Sequence, residues 1–425
     1  MKLSHLVEFN PKRQLGKTVV APFIEMADLQ EGEREVVQIG ERVFNGGGSK
    51  FTNGDTLFAR ITPCLENGKT AKVCGLDEGA IAHGSTEFIV MAAKDKEHDE
   101  DFVYYLARHP EFRAFAKGRM EGTSGRQRVS WQALADYEFT DIERQDRWEI
   151  GSLLSSLDNR IAANRRVNKT LETMARTLFK DWFINFGPVR AKIAGIQLPR
   201  LAPEIAALFP DALDSDGNPL GWKASCIGDE VKVSGGATPS TKEPEYWSSG
   251  EHHWATPKDL SNLISPVLLA TERKITDKGL ARISSGLLPI GTVLLSSRAP
   301  IGYLAIAEVP TAINQGFIAM TCNQTLPNLF VLFWCKERMD KIVGNANGST
   351  FQEISKSNFR PIPVVVPSKE VLDAYFGTVS PLYRVIVSNL SENQSLENLR
   401  DLLLPKLMSG EIRIKDAAQM VGDAV

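Results

Sequence analysis

The most constraining feature of this 425-residue sequence is a direct repeat of a long amphipathic segment. A shift of 225 residues aligns Ser155 with Ser380 and Ile161 with Ile386, and it gives eight identities between residues 155 and 178. Average composition predicts roughly one or two identities over a stretch of this length. Because solenoid repeats have far shorter periods, the repeat indicates a duplicated domain.

Both copies of the segment place apolar residues in alternating steps of four and three, which is the spacing of a coiled-coil seam. Neither seam has a partner within its own half, so we expect the two helices to pair with each other. The seam residues are Leu157, Ile161, Asn164, Asn168, Leu171 and Leu178 in the first helix, and Leu382, Ile386, Asn389, Asn393, Leu396 and Leu403 in the second.

Asparagine interrupts each seam twice, and the shift of 225 residues pairs Asn164 with Asn389 and Asn168 with Asn393. In an antiparallel helix pair, these amides would face one another near the middle. An amide at a seam position lowers stability but fixes the register, since misalignment leaves it without a hydrogen bond. The alternative is that the asparagines lie at a hydrated edge of the seam.

The repeat extends upstream of both helices. The stretch NGDTLFARITP (53–63) resembles IGTVLLSSRAP (290–300), so that Arg60 corresponds to Arg298. FIVM (88–91) corresponds in the same way to FIAM (317–320). Strand-like runs bounded by glycine alternate with short helical patterns, which predicts a mixed α/β (α+β) domain in each half.

These patterns divide the chain into six segments, and a short helix is expected at 203–209 within the connector. We expect a first mixed domain at 1–141, a first long helix at 142–186, a connector at 187–220, a second mixed domain at 221–367, a second long helix at 368–411 and a C-terminal tail at 412–425.

Composition and motifs limit the possible functions. No apolar run approaches the length of a membrane span and no signal-peptide core is visible, so we expect a cytoplasmic protein. The formal net charge is −3, so any nucleic-acid surface must be local. The five cysteines lack zinc-site spacing, and both GKT motifs have proline where a phosphate-binding loop needs glycine. We therefore expect no metal site and no catalysis within this chain.

Polar and basic loops occupy equivalent places in the two halves and are candidate ligand contacts. GTSGRQR (122–128) corresponds to NGSTFQE (347–353), and Arg60 and Arg298 each follow a predicted strand. Hydroxyl, amide and guanidinium groups suit contacts with phosphates and base edges, although any one of these loops could be a solvated turn. The candidates are Arg60, Thr123, Ser124, Arg126, Gln127, Arg128, Thr238, Ser240, Arg298, Ser349, Thr350, Gln352 and Lys356.

Over essentially its whole length, the sequence resembles the specificity subunits of type I restriction-modification systems. The resemblance lies in an ordered set of stretches: LSSLDNRI (154–161), LFKDWFINFGPVRAK (178–192), LFPDALDSDGNPLGW (208–222), GGATPS (235–240), LLSSRAPIG (294–302), GSTFQEIS (348–355) and LRDLLLPKLMSGEI (399–412). There is one departure. The second half opens with GWKASCIGDEVKVSGGATPS, and the opening stretch of the first half, MKLSHLVEFNPKRQLGKTVV, is no clear counterpart of it.

The resemblance implies two tandem target recognition domains separated by the two helices, which form an antiparallel coiled coil with pseudo-two-fold symmetry. It implies a non-catalytic subunit that reads a bipartite target in double-stranded DNA with an unread spacer. The implied partners are two modification (methyltransferase) subunits and the motor-nuclease restriction subunits. S-adenosylmethionine, ATP and Mg²⁺ are expected on those partners, with no cofactor in this chain and no membrane contact.

Two other functions remain to be distinguished from DNA recognition. One is a single-chain DNA methyltransferase or nuclease whose motif is not apparent. The other is a scaffold that assembles other subunits without reading DNA. A change in sequence preference after exchange of one upstream domain would distinguish a recognition subunit from a scaffold.

The length of the long helices leads to a first prediction. A helix rises about 1.5 Å per residue, and half-sites on DNA repeat about every 34–36 Å. Deleting one matched heptad from both helices should therefore shorten the unread spacer of the methylated motif. Mapping of adenine methylation in cells that carry the shortened chain would test this, and an unchanged spacer would contradict it.

Overall fold

The computed structural model describes residues 1–36, 38–123, 125–199, 201–348 and 352–424. The chain forms two compact units, of which one comprises Met1–Ala163 with Glu392–Val425 and the other Asn164–Ser391. Each unit combines one mixed domain with part of each long helix, so the helices belong to both units.

In the described part of the first domain, the strands form two small sheets. Its strands are β1 (Val7–Phe9), β2 (Val20–Ile24), β3 (Gly40–Val43), β4 (Ser49–Phe51), β5 (Thr56–Ala59), β6 (Thr70–Lys72), β7 (Ala82–Gly84) and β8 (Phe88–Ala93). Its helices are α1 (Leu3–Leu6), α2 (Lys96–Arg108), α3 (Pro110–Gly118) and α4 (Trp131–Ala135), with a 3-10 turn at Met26–Asp28. One sheet has the antiparallel order β1-β8-β5-β6, and the other has the order β3-β2-β7-β4.

After the first domain, the chain continues through one long helix and a connector. These segments are α5 (Arg144–Phe179), a π-helical turn at Lys180–Ile184, α6 (Gly187–Ile193) and α7 (Pro203–Ala207). The helix α7 is the short connector helix that the sequence predicts. Phe186 adopts a left-handed conformation with φ 54° immediately before Gly187, which interrupts the helical path at the predicted stop signal FGP.

The second domain contains three sheets within the described residues. Its strands are β9 (Lys223–Cys226), β10 (Lys232–Ser234), β11 (His252–Ala255), β12 (Val267–Leu268), β13 (Arg273–Ile275), β14 (Val293–Ser297), β15 (Ile301–Ala307), β16 (Thr311–Ile313), β17 (Phe317–Thr321) and β18 (Pro363–Val366). The sheet orders are β10-β17-β14-β15-β12, β13-β11-β16 and β18-β9.

The helices of the second domain are α8 (Ile227–Glu230), α9 (Pro257–Ser261), α10 (Asp277–Leu280), α11 (Asn328–Glu337), α12 (Met339–Gly344) and α13 (Lys356–Phe359), with a 3-10 turn at Pro244–Tyr246. The second long helix, α14 (Lys369–Ser409), follows them, and the C-terminal helix α15 (Ile414–Ala424) contributes Ala417 to the core of the first unit. The helix α14 ends at Ser409 and is followed by Gly410 at φ 76°, as the predicted SG stop requires. No helix among the described residues is long and apolar enough to cross a membrane.

The two domains share their central strand order, which supports the predicted duplication. The order β1-β8-β5-β6 matches β10-β17-β14-β15, and the pairs that carry FIVM and FIAM are β8 and β17. The structure also corrects one expectation from the sequence. The opening stretch does have a counterpart, because α1 and β1 occupy the places of α8 and β10. The two segments share few identical residues, because strand pairing constrains the backbone more than the side chains. The match is therefore visible in the structure and not in the sequence.

In the first unit, the long helices pair through an apolar seam. Leu157, Ile161 and Leu396 form one buried cluster. Toward the domain, Leu154 and Leu403 are fully buried in the same core as Phe102 of α2. Gly151 permits this approach, because a Cβ atom there would lie 2.9 Å from the backbone nitrogen of Phe102.

A buried ion pair also joins the two helices in the first unit. Arg400 donates a 2.5 Å hydrogen bond from Nη1 to Oδ1 of Asp158, and each of these side chains is only 4% exposed. The Tyr105 hydroxyl on α2 donates to the other Asp158 oxygen at 2.6 Å. Asp158 therefore connects both long helices to the first domain through hydrogen bonds.

In the second unit, the helices run antiparallel with amides in their seam. The Nδ2 atom of Asn389 donates to Oδ1 of Asn168 at 2.8 Å, which places two of the predicted seam amides in contact. Farther along, Phe183 lies 5.0 Å from Tyr375 and 5.0 Å from Phe330, measured between ring centroids. The helix ends thus enter an aromatic core that includes α11 of the second domain.

The buried ion pair leads to a second prediction. Arg400→Met should leave the Asp158 carboxylate buried without its cation and lower the local free energy of unfolding by about 3–5 kcal/mol. Hydrogen exchange of the amides at 154–161 would measure this loss. The double variant Asp158→Asn/Arg400→Met should recover most of it, because no uncompensated charge remains.

Arg160 provides a matched control for this experiment. It is 54% exposed and pairs with Glu392 on the same two helices. Arg160→Gln should therefore change the opening free energy by less than about 1 kcal/mol. Equal losses in Arg400→Met and Arg160→Gln would contradict the importance of burial.

Candidate nucleic-acid interface

In the first domain, Arg60 lies directly after the buried strand β5. Its backbone nitrogen donates to the carbonyl of Glu87 at 3.0 Å, and its carbonyl accepts from the nitrogen of Val129 at 3.0 Å. The position of Arg60 is therefore fixed on both sides by the backbone. The Nε atom of Arg60 is buried and has no hydrogen-bond partner among the described residues.

The predicted loop GTSGRQR forms the tip of a short hairpin over this strand end. Glu121 and Arg128 close the hairpin through two backbone hydrogen bonds of 2.9 Å. Gln127 and Thr62 attach it to the strand end, because the Gln127 nitrogen donates to Oγ1 of Thr62 and the Thr62 nitrogen donates to the Gln127 carbonyl, each at 3.1 Å. The hairpin is thus held in place beside Arg60.

The candidate side chains on this hairpin differ in their exposure to solvent and in their hydrogen bonding. Thr123 and Arg126 are exposed, whereas Gln127 is half-buried and Ser124 lies outside the described residues. Arg128 is engaged with Glu87 through hydrogen bonds of 2.9 Å from Nε and 2.7 Å from Nη2. These hydrogen bonds from Arg128 lower the pKa of the Glu87 carboxyl.

The second domain repeats this arrangement, with an arginine again at the strand end but an acidic residue at the hairpin position of Arg128. Arg298 follows β14, and Nη1 of Arg298 lies 3.4 Å from both carboxylate oxygens of Glu353. Glu353 stands at the hairpin position that Arg128 occupies in the first domain, since both residues close a hairpin and bridge to the strand end. Gln352 is exposed beside Glu353, and Ser349 and Thr350 lie outside the described residues.

A second loop in this domain reaches the same strand end. Oγ1 of Thr238 donates to Oε1 of Gln315 at 2.6 Å. The next residue, Gly316, accepts at its carbonyl from the nitrogen of Ser297 at 2.8 Å, immediately before Arg298. Two hydrogen bonds, one from Thr238 and one from Ser297, therefore hold Thr238, Gln315 and Arg298 close together at one end of the sheet.

Glycine and lysine shape the loop around Thr238. A Cβ atom on Gly236 would lie 1.9 Å from the carbonyl oxygen of Ile313, so the loop requires glycine there. Lys356 extends over Gly235, because a Cβ atom at that glycine would lie 3.3 Å from the lysine Nζ. Ser240 is exposed, while its carbonyl accepts from the Trp247 indole at 3.0 Å.

Sequence reasoning missed two residues of these surfaces, Glu87 and Gln315. Glu87 directly precedes the strand FIVM, and Gln315 precedes the matching strand FIAM by two residues. The repeat therefore indicated their positions. Their roles depend on partners far away in sequence, namely Arg128 and Thr238, which the repeat alone does not reveal.

Each surface presents guanidinium, amide, hydroxyl or ammonium groups on a backbone fixed by hydrogen bonds. Such groups suit hydrogen bonding to phosphates and to base edges. Across the described ranges, no group of three or more His, Cys, Asp or Glu side chains is arranged to hold a metal ion.

Comparison with known proteins gives these surfaces a context. A family model described as "Type I restriction modification DNA specificity domain" matches residues 219–397. The chain is 25% identical over 405 residues to the HindI specificity subunit of Haemophilus influenzae, covering 84% of this chain and 86% of that protein. It is also 37% identical over 183 residues to the MjaIX specificity subunit of Methanocaldococcus jannaschii, a match that spans 43% of this chain and 42% of that one.

The fold agrees with these sequence matches. The crystal structure of a type I restriction-modification S subunit from M. genitalium aligns over 96% of this chain and 95% of that chain, with a TM-score of 0.58 at 14% sequence identity. At this identity, the likeness shows a shared fold. Residues 219–397 thus form a type I restriction-modification DNA specificity domain, and the chain is similar to type I specificity subunits over most of its length.

Proposed function

We propose that this chain reads DNA sequence for a type I restriction-modification complex, with each domain contacting one part of a bipartite target across an unread spacer. The observation that carries the proposal is the duplicated surface, in which a polar hairpin is fixed beside an arginine at the end of β5 and again at the end of β14. A duplicated fold that presents different side chains suits two different half-sites.

The side chains on the two surfaces differ in ways that matter for base readout. Arg128 is engaged with Glu87 in the first domain, whereas Glu353 faces Arg298 in the second. Arginine commonly donates two hydrogen bonds to guanine, and a carboxylate accepts from cytosine N4. The exposed Gln352 suits an adenine edge, where glutamine can both donate and accept.

The family also suggests how the chain works with other proteins. The chain would assemble with modification and restriction subunits while contributing no catalytic group. We infer that two modification subunits bind one chain, since a duplicated domain offers two equivalent docking places. S-adenosylmethionine would be held by those subunits, and ATP and Mg²⁺ by the restriction subunits.

This proposal is favoured over the two alternatives. A single-chain methyltransferase or nuclease is disfavoured because the matching family model describes a DNA specificity domain. A scaffold that does not read DNA would have no use for two fixed polar surfaces with different side chains. Exchange of one domain tests the scaffold directly.

The test is adenine methylation mapping in three strains. One strain carries the chain, one lacks it, and in one the segment 221–367 is replaced by the corresponding domain of another specificity subunit. We expect a bipartite motif that disappears on deletion and changes in only one half after the exchange. A motif that survives the exchange unaltered would support the scaffold and overturn the proposal.

The second surface leads to a prediction about readout. Gln352→Ala should weaken binding of the assembled complex to its cognate duplex by about 1–3 kcal/mol and relax the preference at one base pair, because a base contact is lost. Lys356→Ala should weaken binding to all sequences similarly and lower the salt dependence, as loss of a phosphate contact does.

Competition binding at several salt concentrations separates these effects. Arg298→Ala should also weaken binding of the complex, and because the Arg298 side chain is half-buried and pairs only with the half-exposed Glu353 in this salt bridge, its loss should leave the chain folded. If all three variants bind cognate and unrelated duplexes as the unaltered chain does, these residues do not contact DNA.

A further inference from the structure

The first domain contains a basic cleft that the repeat did not predict. The described residues that line it include four basic side chains and no acidic one. The basic residues are Lys12, Arg13, Lys50 and Arg60. For a chain with a formal net charge of −3, this is a marked local excess of positive charge.

The segment that brings Lys12 and Arg13 into the cleft is anchored by its backbone. Asn10 follows β1 at φ 47°, its nitrogen donates to the Val90 carbonyl at 2.8 Å, and its Oδ1 atom accepts from the Val90 nitrogen at 2.9 Å. This double contact turns the chain out of the sheet. Lys12 is consequently exposed at the mouth of the cleft.

Arg13 and Lys50 fasten the segment to strand β4. Nη1 of Arg13 donates to the Lys50 carbonyl, and Nζ of Lys50 donates to the Arg13 carbonyl, each at 3.0 Å. The charge of Arg13 is balanced by Asp55 at 2.7 Å, and the Asp55 side chain is only 3% exposed. The guanidinium of Arg13 is therefore engaged within the protein and is not counted among the groups that could bind a ligand.

The described salt bridges include no carboxylate partner for Lys50 or Arg60 of the kind that Asp55 provides for Arg13. The ammonium of Lys50 contacts a neutral carbonyl and the Phe44 ring, and no carboxylate in the described chain pairs with it. Glu87 is the acid next to Arg60, but it accepts its hydrogen bonds from Arg128. An ammonium has three donors, so Lys50 retains donors for a ligand.

The matching place in the second domain holds a different loop. Because β1 corresponds to β10, the segment Asn10–Arg13 takes the place of Gly235–Thr238. The latter segment consists of small residues, with Lys356 extended over Gly235. The first domain therefore places more positive charge at this position than the second does.

We propose that this cleft binds phosphates of the DNA backbone through Lys12, Lys50 and Arg60, so that the first domain grips DNA more electrostatically than the second. The inference rests on the proposed function. A concave surface with charged donors held by the backbone matches a phosphodiester, which accepts from several cations at once. Phosphate contacts of this kind position the protein without reading sequence.

The test compares the salt dependence of DNA binding by the assembled complex, with a duplex that carries the mapped target and with an unrelated duplex. Each lost phosphate contact lowers the slope of log K against log salt by about 0.9. Lys12→Gln/Lys50→Gln should therefore lower the slope by about 1.8 on both duplexes. Lys2→Gln/Lys117→Gln, two lysines of the same domain outside the cleft, should leave the slope unchanged.

The possible outcomes separate this inference from the proposed function. If the unaltered complex prefers its target but the cleft variant keeps the same slope, the cleft does not bind DNA and the proposed function stands. If the variant instead loses a subunit of the complex at unchanged slope, the cleft is a protein contact. If the unaltered complex shows no preference for its target, the proposed function itself fails.

A single variant keeps the inference testable if the double variant does not fold. Lys50 contacts the Arg13 carbonyl, so its replacement could disturb β4. Lys12 is exposed, and Lys12→Gln alone should lower the slope by about 0.9 while hydrogen exchange of the domain stays unchanged. A Lys12→Gln complex with an unchanged slope would contradict the inference even if the double variant fails to fold.

Discussion

The pairing of α5 with α14 is the contact on which the rest of the chain depends, because neither half of the sequence offers its own helix a complementary seam. In the first unit, Leu157 and Ile161 bury their side chains with Leu396. In the second unit, Asn168 and Asn389 meet through a hydrogen bond. Each helix also continues into the core of a domain, as Leu154 of α5 and Tyr375 of α14 show. Within each unit, the seam is therefore continuous with the domain core, and the domain is attached to both helices.

Polar groups serve two different purposes in this fold. Those within the helix pair, such as Asp158 and Arg400, are buried and satisfied by one another, so they specify how the helices meet. Those at the ends of β5 and β14 are held by backbone hydrogen bonds while their side chains reach solvent. A surface that reads DNA needs this combination, because a contact is specific only when the donor is positioned before the ligand arrives. The repeated hairpins supply that rigidity in both domains.

Periodic features of the fold were accessible from the sequence, and pairwise features were not. Heptad spacing predicted the seam, and the repeat predicted that β8 matches β17 and that Arg60 matches Arg298. The burial of Asp158 was hidden, since it depends on Arg400, which lies 242 residues away. The basic cleft was hidden for a related reason. Apart from Arg60, its cations come from the opening segment and from β4, and the match between β1 and β10 rests on strand pairing rather than on shared residues.

The buried ion pair has a consequence for the history of the chain. Under the shift of 225 residues, Arg400 corresponds to Ala175 and Asp158 corresponds to Tyr383. Two copies of the first half joined symmetrically would therefore place each Asp158 opposite an alanine, with a carboxylate buried and uncompensated. The two halves descend from one ancestral segment by their pattern, yet they are no longer interchangeable. These two positions therefore match the first helix to the second helix and not to a copy of itself.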